Sequence, residues 1–327
     1  MTSKPVTCRP DFYPLAEIGT DIAKAASILE KGRLVAIPTE TVYGLAGNAL
    51  NDHAVASIFQ VKNRPAFDPL IVHVSGKDHL TSYASDIPPI AEQLMDRFWP
   101  GPLTLLLPKK SIIPDLVTSG LERAGFRCPN HTLTLQLLRR LNFPLAAPSA
   151  NPFGYISPTE ALHVENQLGD KIDYILDGGP CTVGVESTII GFESGEPIIY
   201  RLGGISLEEI EAVIGKVKIG SSTSRPTAPG QLESHYAPKK KMILGDVPAL
   251  MQQSKEHSYG ILSFDTDYGA PVQRILSPSG DVTEAARNLF RYMRELDTES
   301  VSVIFCEHVP DEGLGRAIND RLKRACA

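Results

Sequence analysis

The chain has 327 residues, of which 42% are hydrophobic and 21% are charged, and its formal net charge at pH 7 is -6. This composition excludes a disordered protein. The negative balance argues against a general nucleic-acid coat, which would be basic overall, although it leaves a local basic cleft possible. A chain of this length exceeds one ordinary hydrophobic core, so two domains are expected.

Cysteine usage and the N-terminal sequence predict a cytoplasmic protein. The five cysteines are scattered, odd in number and without a CxxC pair. Free thiols are therefore expected, and a structural zinc site is not. Residues 1–19 contain no apolar core of a signal peptide, and no run approaches the roughly 18 apolar residues that a membrane span needs.

The apolar pattern of the first two thirds of the chain predicts helices and strands in irregular order. Apolar side chains recur at helical spacing in residues 21–31, 52–62, 89–98 and 133–141, and again around Ile210. Short apolar runs predict strands at residues 34–37, 69–74, 103–107, 174–176, 187–190 and 197–201. Strands outnumber helices in the second half of this region, which favours a mixed sheet over regular βαβ units.

Three polar residues are predicted to start helices. Asp52 precedes an apolar helical pattern and is a candidate cap. Ser157, followed by proline and by a glutamate three residues later, matches a capping box. Ser206 and Glu209 match a second one.

Residues 221–241 change in character and predict a linker between a first domain (1–220) and a second domain (242–327). The stretch is rich in Ser, Thr, Pro and Gly and has no apolar period. Beyond it, strands at residues 242–244, 259–264, 272–276 and 301–306 surround helices, the clearest at 283–296 and 315–325. This alternation predicts a small parallel α/β domain, Rossmann-like in class. No GxGxxG follows a strand, so dinucleotide binding is not predicted.

Cations and hydroxyl groups cluster at the predicted ends of these elements. Four cations lie there: Lys62, Arg64, Arg127 and Arg201. Ser149 and Asn151 follow another apolar run, and ligands of open α/β sheets bind beyond strand ends. The set favours an enzyme that binds a polyanionic small molecule such as a nucleotide. Solvated surface turns are the alternative interpretation.

Seven segments then carry a resemblance to a known family. They occur in order as PTETVYGL, KNRP with DPLIVHV, WPGPLTL, FRCPNH, APSANPFGYISPT, VESTI and RLGGIS. Together they resemble the YrdC family. HYAP and EGLGRAINDRLKRA extend the resemblance to the long, two-domain threonylcarbamoyl-AMP synthases. It implies an α/β fold, with a twisted mixed sheet that has a concave basic face, followed by the small Rossmann-like domain.

The resemblance also implies an activity. Members are nucleotidyltransferases that condense L-threonine, bicarbonate and ATP into L-threonylcarbamoyladenylate and release pyrophosphate. The product supplies the machinery that transfers threonylcarbamoyl to an adenosine of tRNA. Mg²⁺ is expected to arrive with ATP and to be held largely by phosphates and waters, so no protein ligand to a metal is predicted. Stable tRNA binding is not expected.

Individual residues carry over with the motifs. The central polar set, implied to be catalytic and to contact the nucleotide phosphates, is Lys62, Arg64, Ser149 and Asn151. Further ATP contacts are implied at Asp68, Ser157 and Arg201. The implied L-threonine pocket comprises Thr41, His73, Arg127, Ala147 and Ser187, with Arg127 paired to the threonine carboxylate. Two positions depart from the family pattern. Arg123 replaces a small hydroxyl residue. Asp68 replaces a common asparagine, and the negative charge that it adds needs an arginine or Mg²⁺ to offset it.

The linker carries its own hypothesis. Tyr236 has no periodic apolar neighbours in sequence, so a docking role is favoured over a core role. The hypothesis is that residues 221–241 cover the cleft as a lid and that Tyr236 contacts the ATP phosphates. The alternative is a tether in which Tyr236 only packs between domains.

Two other functions are weighed. The same basic face could bind RNA without chemistry, which the net charge disfavours. The second alternative is that the chain is a carbamoyltransferase-like part of a larger maturation enzyme. Such an enzyme has zinc-finger cysteines and an acylphosphatase-like segment, and this sequence has neither.

Overall fold

The computed structural model describes residues 15–220, 235–254 and 258–327. Within them the chain forms a sheet of eleven strands and a sheet of four. The first sheet contains β1 (Glu17–Gly19), β2 (Val35–Ile37), β3 (Gly44–Asn48), β4 (Ile71–His73), β5 (Leu103–Pro108), β6 (Arg123–Arg127), β7 (Leu145–Ala146), β8 (Tyr174–Leu176), β9 (Thr188–Glu193), β10 (Glu196–Arg201) and β11 (Lys218–Ile219). The second contains β12 (Lys241–Leu244), β13 (Tyr259–Ser263), β14 (Gln273–Ile275) and β15 (Val303–Cys306).

The helices of the described residues cover both sheets. Those that follow the first sheet's strands are α1 (Ile22–Glu30), α2 (Asp52–Lys62), α3 (Lys77–Leu80), α4 (Pro89–Phe98), α5 (Asp115–Thr118), α6 (Thr132–Arg140), α7 (Ala161–Leu168) and α8 (Leu207–Ile214). Those of the second part are α9 (Val247–Gln253), α10 (Val282–Thr298) and α11 (Gly315–Ala325).

The first sheet is mixed, as its sequence predicts. Its strand order is β1-β8-β2-β3-β7-β4-β6-β5-β9-β10-β11. β6 pairs parallel with β4 on one side and antiparallel with β5 on the other. Central strands such as β2 are buried along their whole length, which explains why they occur as continuous apolar runs in the sequence.

The second sheet is parallel throughout, in the order β12-β15-β13-β14. Helix α10 buries Ala286, Leu289, Phe290 and Met293 along one stripe, as the helical spacing predicts. The predicted small parallel α/β domain of Rossmann-like class is confirmed.

One hydrophobic cluster joins the two sheets. It contains Val42, Ile156 and Val185 from the first part of the chain, together with Tyr236 and the buried faces of α10 and α11. The second sheet is therefore packed against the first through a shared core, and its helices reach the region around Ile156 and Val185.

The predicted helix starts have three different outcomes. Ser206 and Glu209 form the predicted capping box at α8. Asn51, and not Asp52, caps α2 by accepting from the amides of His53 and Ala54. The capping role predicted for Ser157 is wrong, because α7 begins only at Ala161, after Glu160, and without a side-chain cap.

None of the helices in the described ranges is both long enough and apolar enough to cross a membrane.

Candidate active site

A cavity lies beside the first sheet and is lined by residues far apart in sequence. Eight residues predicted from the sequence line it: Arg64, His73, Arg127, Ala147, Ser149, Ser187, Arg201 and Tyr236. The strand pairing explains part of this convergence, because His73 at the end of β4 is in register with Arg127 at the end of β6. The other five predicted residues are buried but do not line the cavity: Thr41, Lys62, Asp68, Asn151 and Ser157.

Arg127 is held by a carboxylate behind the cavity. Its Nη2 lies 2.8 Å from Oε1 of Glu40, and both side chains are 5% exposed. The other Glu40 oxygen accepts a hydrogen bond from the amide of Asn130 at 3.0 Å. The Nε of Arg127 has no hydrogen-bond partner within the described part of the chain. A buried donor without a partner is costly, so this edge of the guanidinium is suited to an incoming carboxylate.

Arg64 is positioned by the turn that ends α2. Asn63 adopts the left-handed conformation with φ 51, which asparagine tolerates better than most residues and which ends the helix. Arg64 Nη2 then lies 2.9 Å from Asp68 Oδ2, and Nε donates to the Asp68 carbonyl at 3.0 Å. Arg64 therefore offsets the negative charge of Asp68, as the replacement of the family's asparagine by aspartate requires.

Lys62 lies under the turn that carries Ser149 and Asn151. Its side chain is buried, and Nζ donates to the carbonyls of both residues, at 2.5 Å for Ser149. Burial and then the charge of Arg64 lower the pKa of Lys62 well below its ordinary value. The interpretation of these turns as solvated surface is wrong, since Lys62 and Arg64 are 1% and 8% exposed. A direct contact between Lys62 and phosphate stays a prediction.

Arg201 and Ser187 form one hydrogen-bonded unit. Arg201 donates from Nε to the Ser187 carbonyl and from Nη2 to its hydroxyl, both at 3.0 Å. The Ser187 hydroxyl also lies 2.7 Å from the hydroxyl of Thr104. Burial lowers the pKa of Arg201 to about 10, so it is a cation at neutral pH. Ser187 is thereby fixed at the cavity wall beside a positive charge.

Neutral groups complete the same side of the cavity. Burial and then the charge of Arg127 lower the pKa of His73 to about 3, so this ring is neutral at pH 7. The hydroxyl of Thr41 lies 2.8 Å from that of Thr39, which lines the cavity. Arg123, at the far end of β6, donates to the Phe192 carbonyl at 3.1 Å instead of reaching the cavity.

Glu186 is a wall residue that the motif analysis did not identify. It lines the cavity next to Ser187 and accepts a hydrogen bond from Ser157 Oγ at 2.6 Å. Its other oxygen lies 3.1 Å from Arg321 of α11. One signal in the sequence could have identified Glu186: it stands in VESTI directly before Ser187, a predicted ligand residue. A carboxylate at that position needs a partner when it is buried.

The segment that precedes β12 closes the cavity. His235 and Tyr236 both line it and are 7% and 1% exposed. The amide of Ala237 donates to the Gly154 carbonyl at 2.9 Å, and the amide of His235 donates to the backbone carbonyl of Arg324 at 3.2 Å. Tyr236 also stacks on Phe290 at 5.4 Å between ring centres. The preference for a docking role over a core role is wrong as an alternative, since Tyr236 both belongs to the core shared by the two parts and lines the cavity. Residues 221–234 of the proposed lid lie outside the described residues.

The cavity is positively charged but small. Three arginines and one glutamate line it. The space that water molecules can occupy in it is about 50 Å³, which is enough for a few waters at about 10–15 Å³ each but too small for a nucleotide.

The fold and the site together define an α/β protein with a small, arginine-lined cavity suited to anionic small molecules. Residues 27–203 match the family model Sua5_yciO_yrdC, described as "Telomere recombination", and residues 205–327 match "Threonylcarbamoyl-AMP synthase, C-terminal domain". This chain belongs to the Sua5/YciO/YrdC family and, through its second matched region, to the family's two-domain threonylcarbamoyl-AMP synthases.

Individual relatives cover almost the whole chain. The threonylcarbamoyl-AMP synthase of Pyrococcus abyssi is 42% identical, over 92% of this chain and 92% of the relative. That of Bacillus subtilis is 39% identical, over 93% and 92%. The crystal structure of P. abyssi Sua5 complexed with L-threonine matches with a TM-score of 0.89 and 39% identity, over 95% of this chain and 97% of that one.

Proposed function

We propose that this chain is a threonylcarbamoyl-AMP synthase that condenses L-threonine, bicarbonate and ATP. The observation that carries the proposal is the convergence of Arg64, Arg127 and Arg201 on one small cavity. Its relatives of similar length bear that enzyme's name, and one of them is known with L-threonine bound. The product would be L-threonylcarbamoyladenylate, which a downstream transferase uses to modify tRNA.

L-Threonine would bind at the Arg127 end of the cavity. The unpartnered Nε edge of Arg127 suits its carboxylate, and Glu40 keeps the guanidinium in place from behind. Ser187 and the neutral ring of His73 lie on the same wall and offer hydrogen-bonding groups without adding charge. A zwitterionic amino acid therefore meets one cation and several neutral polar groups.

The reaction would then need no nucleophile on the protein. The threonine amine attacks bicarbonate or CO₂ and forms a carbamate, with loss of water in the bicarbonate case. A carbamate oxygen attacks the α-phosphorus of ATP, and the bond to pyrophosphate breaks. Both reactants are anions, so the barrier is mainly repulsion and misplacement, which fixed cations and orientation reduce.

Mg²⁺ would enter as part of the ATP substrate. Among the described residues there is no group of three or more His, Cys, Asp or Glu side chains that could hold a metal. The carboxylates of Glu40, Asp68 and Glu186, which lie in or beside the cavity lining, are each engaged by an arginine. This arrangement fits an ion that is held by phosphates and water.

Binding of ATP would require the segment at His235 and Tyr236 to move. The cavity admits only a few waters, and these two residues form part of its wall. Reclosure over bound substrates would exclude water from the mixed anhydride that forms, which is prone to hydrolysis.

The proposal is tested by omitting each substrate in turn. We expect a threonylcarbamoyl-AMP product, identified by mass spectrometry, and pyrophosphate release only when L-threonine, bicarbonate and ATP are all present. Equal ATP turnover without L-threonine would identify an ATPase and exclude the synthase.

A further inference from the structure

The carboxylate of Glu186 stands at the cavity wall and is held from two sides. Oε1 accepts a hydrogen bond from Ser157 Oγ at 2.6 Å. Oε2 accepts from Nε of Arg321 at 3.1 Å, with Nη2 also at 3.1 Å. Ser157 and Glu186 belong to the first part of the chain, whereas Arg321 lies on α11, so this contact crosses the boundary between the two sheets.

Arg321 is one of the most deeply buried charges in the described residues. Its side chain is fully buried, and its Nη1 donates to the carbonyl of Leu202 at 2.6 Å. Its guanidinium lies 5.5 Å from the ring centre of Tyr236. The side chain therefore contacts three parts of the cavity surroundings: the loop before β9, the end of β10 and the segment before β12.

A second buried arginine supports the same wall. Arg294 of α10 donates from Nε to the Ser157 carbonyl at 3.2 Å, and from Nη2 to the Ile156 carbonyl and to Gln167. Both members of the Ser157–Glu186 hydrogen bond are thus held by an arginine of the second part. Neither arginine lines the cavity itself.

A buried ion pair of this kind is poorly explained by stability alone. Desolvating both charges is costly, and an apolar pair of similar size is often as stable or more so. Burial would raise the pKa of Glu186, but the charges of Arg321 and Arg201 and the bond from Ser157 outweigh it and hold that pKa below its ordinary value. The wall therefore keeps a carboxylate, in a cavity that otherwise presents cations.

The position of Arg201 gives that carboxylate a specific consequence. Arg201 lines the same cavity and donates to the carbonyl and the hydroxyl of Ser187, the residue next to Glu186. If Arg321 did not engage Glu186, the carboxylate would attract Arg201 away from Ser187 and would repel an anionic ligand. Charge balance at this wall thus depends on a side chain supplied by α11.

We propose that Arg321 is a positioning residue for the reaction: it engages Glu186 from behind the cavity, which keeps Arg201 on Ser187 and offsets a negative charge that anionic substrates would face. This inference rests on the proposed function for the identity of those substrates. It gives the second α/β part a direct role in the site, because that part completes the wall.

The test is a double-mutant cycle on MgATP binding, measured by calorimetry on the full chain. We expect R321M to bind MgATP at least about tenfold more weakly, because Glu186 is left charged and unpaired. E186Q should alter binding less, and adding R321M to E186Q should cost less than about threefold, because the carboxylate is gone. A merely structural arginine would weaken both backgrounds equally, and that result would overturn the proposal.

A matched control lies on the same helix. Arg316 of α11 pairs with Glu208 of α8 across the same boundary, but this pair is partly exposed and lies outside the cavity lining. R316M should bind MgATP like the parent. If R321M also binds like the parent, the proposal is wrong.

Two further arms keep the result interpretable. If R321M does not fold, R321K replaces it in the parent and in E186Q. Lysine keeps the positive charge but lacks the planar set of guanidinium donors. We therefore expect a coupling between positions 321 and 186 of the same sign but of smaller magnitude. MgATP binding needs no product formation, so the cycle is independent of the synthase assay. Failure of the parent to form threonylcarbamoyl-AMP would refute the proposed function, whereas an additive cycle would refute only the role of Arg321.

Discussion

Two buried arginine–glutamate pairs border the cavity and are oriented in opposite senses. In the first pair, Arg127 lines the cavity and Glu40 lies behind it. In the second, Glu186 lines the cavity and Arg321 lies behind it. The two pairs have the same chemistry and similar burial, so what differs is which partner faces the ligand and which part of the chain supplies it.

This difference shows how a salt bridge can either present or cancel a charge. An arginine at the surface of a cavity, oriented by a carboxylate behind it, offers its remaining donors to an anion. A carboxylate at the surface, already engaged by an arginine and a hydroxyl, has little capacity left to bind a cation. The first pair is therefore a candidate receptor for substrate, and the second is a wall whose charge is balanced.

The largest expected effect comes from removing the arginine that faces the cavity. R127M should lower kcat/KM for L-threonine by about 30-fold or more, because truncating one partner of a buried charge pair costs about 2–5 kcal/mol. Steady-state kinetics with varied L-threonine, together with calorimetry, measure the loss. R123M is the control, since Arg123 lies on the same strand and contacts Phe192 instead. A normal KM in R127M would remove Arg127 from the threonine pocket.

A smaller effect is expected from the carboxylate behind it. E40Q keeps the size of the side chain but weakens the orientation of Arg127, so KM for L-threonine should rise about tenfold, equivalent to about 1.4 kcal/mol, with kcat little changed. The opposite result is informative. If E40Q binds L-threonine more tightly, Glu40 cancels the charge of Arg127, and both pairs then act as balanced charges.

Sequence analysis predicted the fold better than it predicted the contacts of the charged residues. Helix α4 and helix α11 have the predicted bounds, Pro89–Phe98 and Gly315–Ala325, because apolar spacing and local breakers determine them. Ser157 was misassigned because a local capping pattern competes with a distant partner, Glu186, which local sequence cannot show.

The site residues also divide into those that the sequence identified and those that it did not. Motif resemblance identified residues that converge on the cavity, including Arg64 and Arg127, although they are distant in sequence. It missed the residues that act from behind, namely Glu40, Glu186, Arg294 and Arg321. Their partners come from elements far apart in sequence: β6 supplies the partner of Glu40, and the packing of α10 and α11 on the first sheet brings the others together. Spacing along the chain does not encode that packing.

The closing segment should make stability depend on pH. Burial and then the charges of Arg324, Arg64, Lys62 and Arg201 lower the pKa of His235 well below its ordinary value of 6.5. The unfolded chain therefore binds a proton below about pH 6.5 that the folded state excludes, so stability is present above that pH and is lost as pH falls below it. Each such proton contributes a slope of up to about 1.4 kcal/mol per pH unit.

Chemical denaturation between pH 7.5 and 5 measures this slope. H235N should reduce it, and a variant of His53, which is exposed on α2, serves as the control. His73 and His163, whose pKa values burial lowers to about 3 and about 4, should leave a residual slope in H235N. An unchanged slope in H235N would mean that His235 is accessible to protons in the folded protein.

The smallest expected effect concerns Tyr236, which lies beside Arg321 at the cavity wall and belongs to the segment that precedes β12. Y236F keeps the ring that stacks on Phe290 and lies over Arg321 and Arg324, so unfolding should change little. It removes one hydroxyl at the cavity, which should weaken MgATP binding about two- to tenfold if that hydroxyl contacts phosphate, since one hydrogen bond contributes about 0.5–1.5 kcal/mol. Y236A removes the ring as well and should lose both stability and binding. If Y236F binds MgATP like the parent while Y236A is destabilised, Tyr236 acts only through packing, and the charge balance at this wall rests on Arg321 and Glu186.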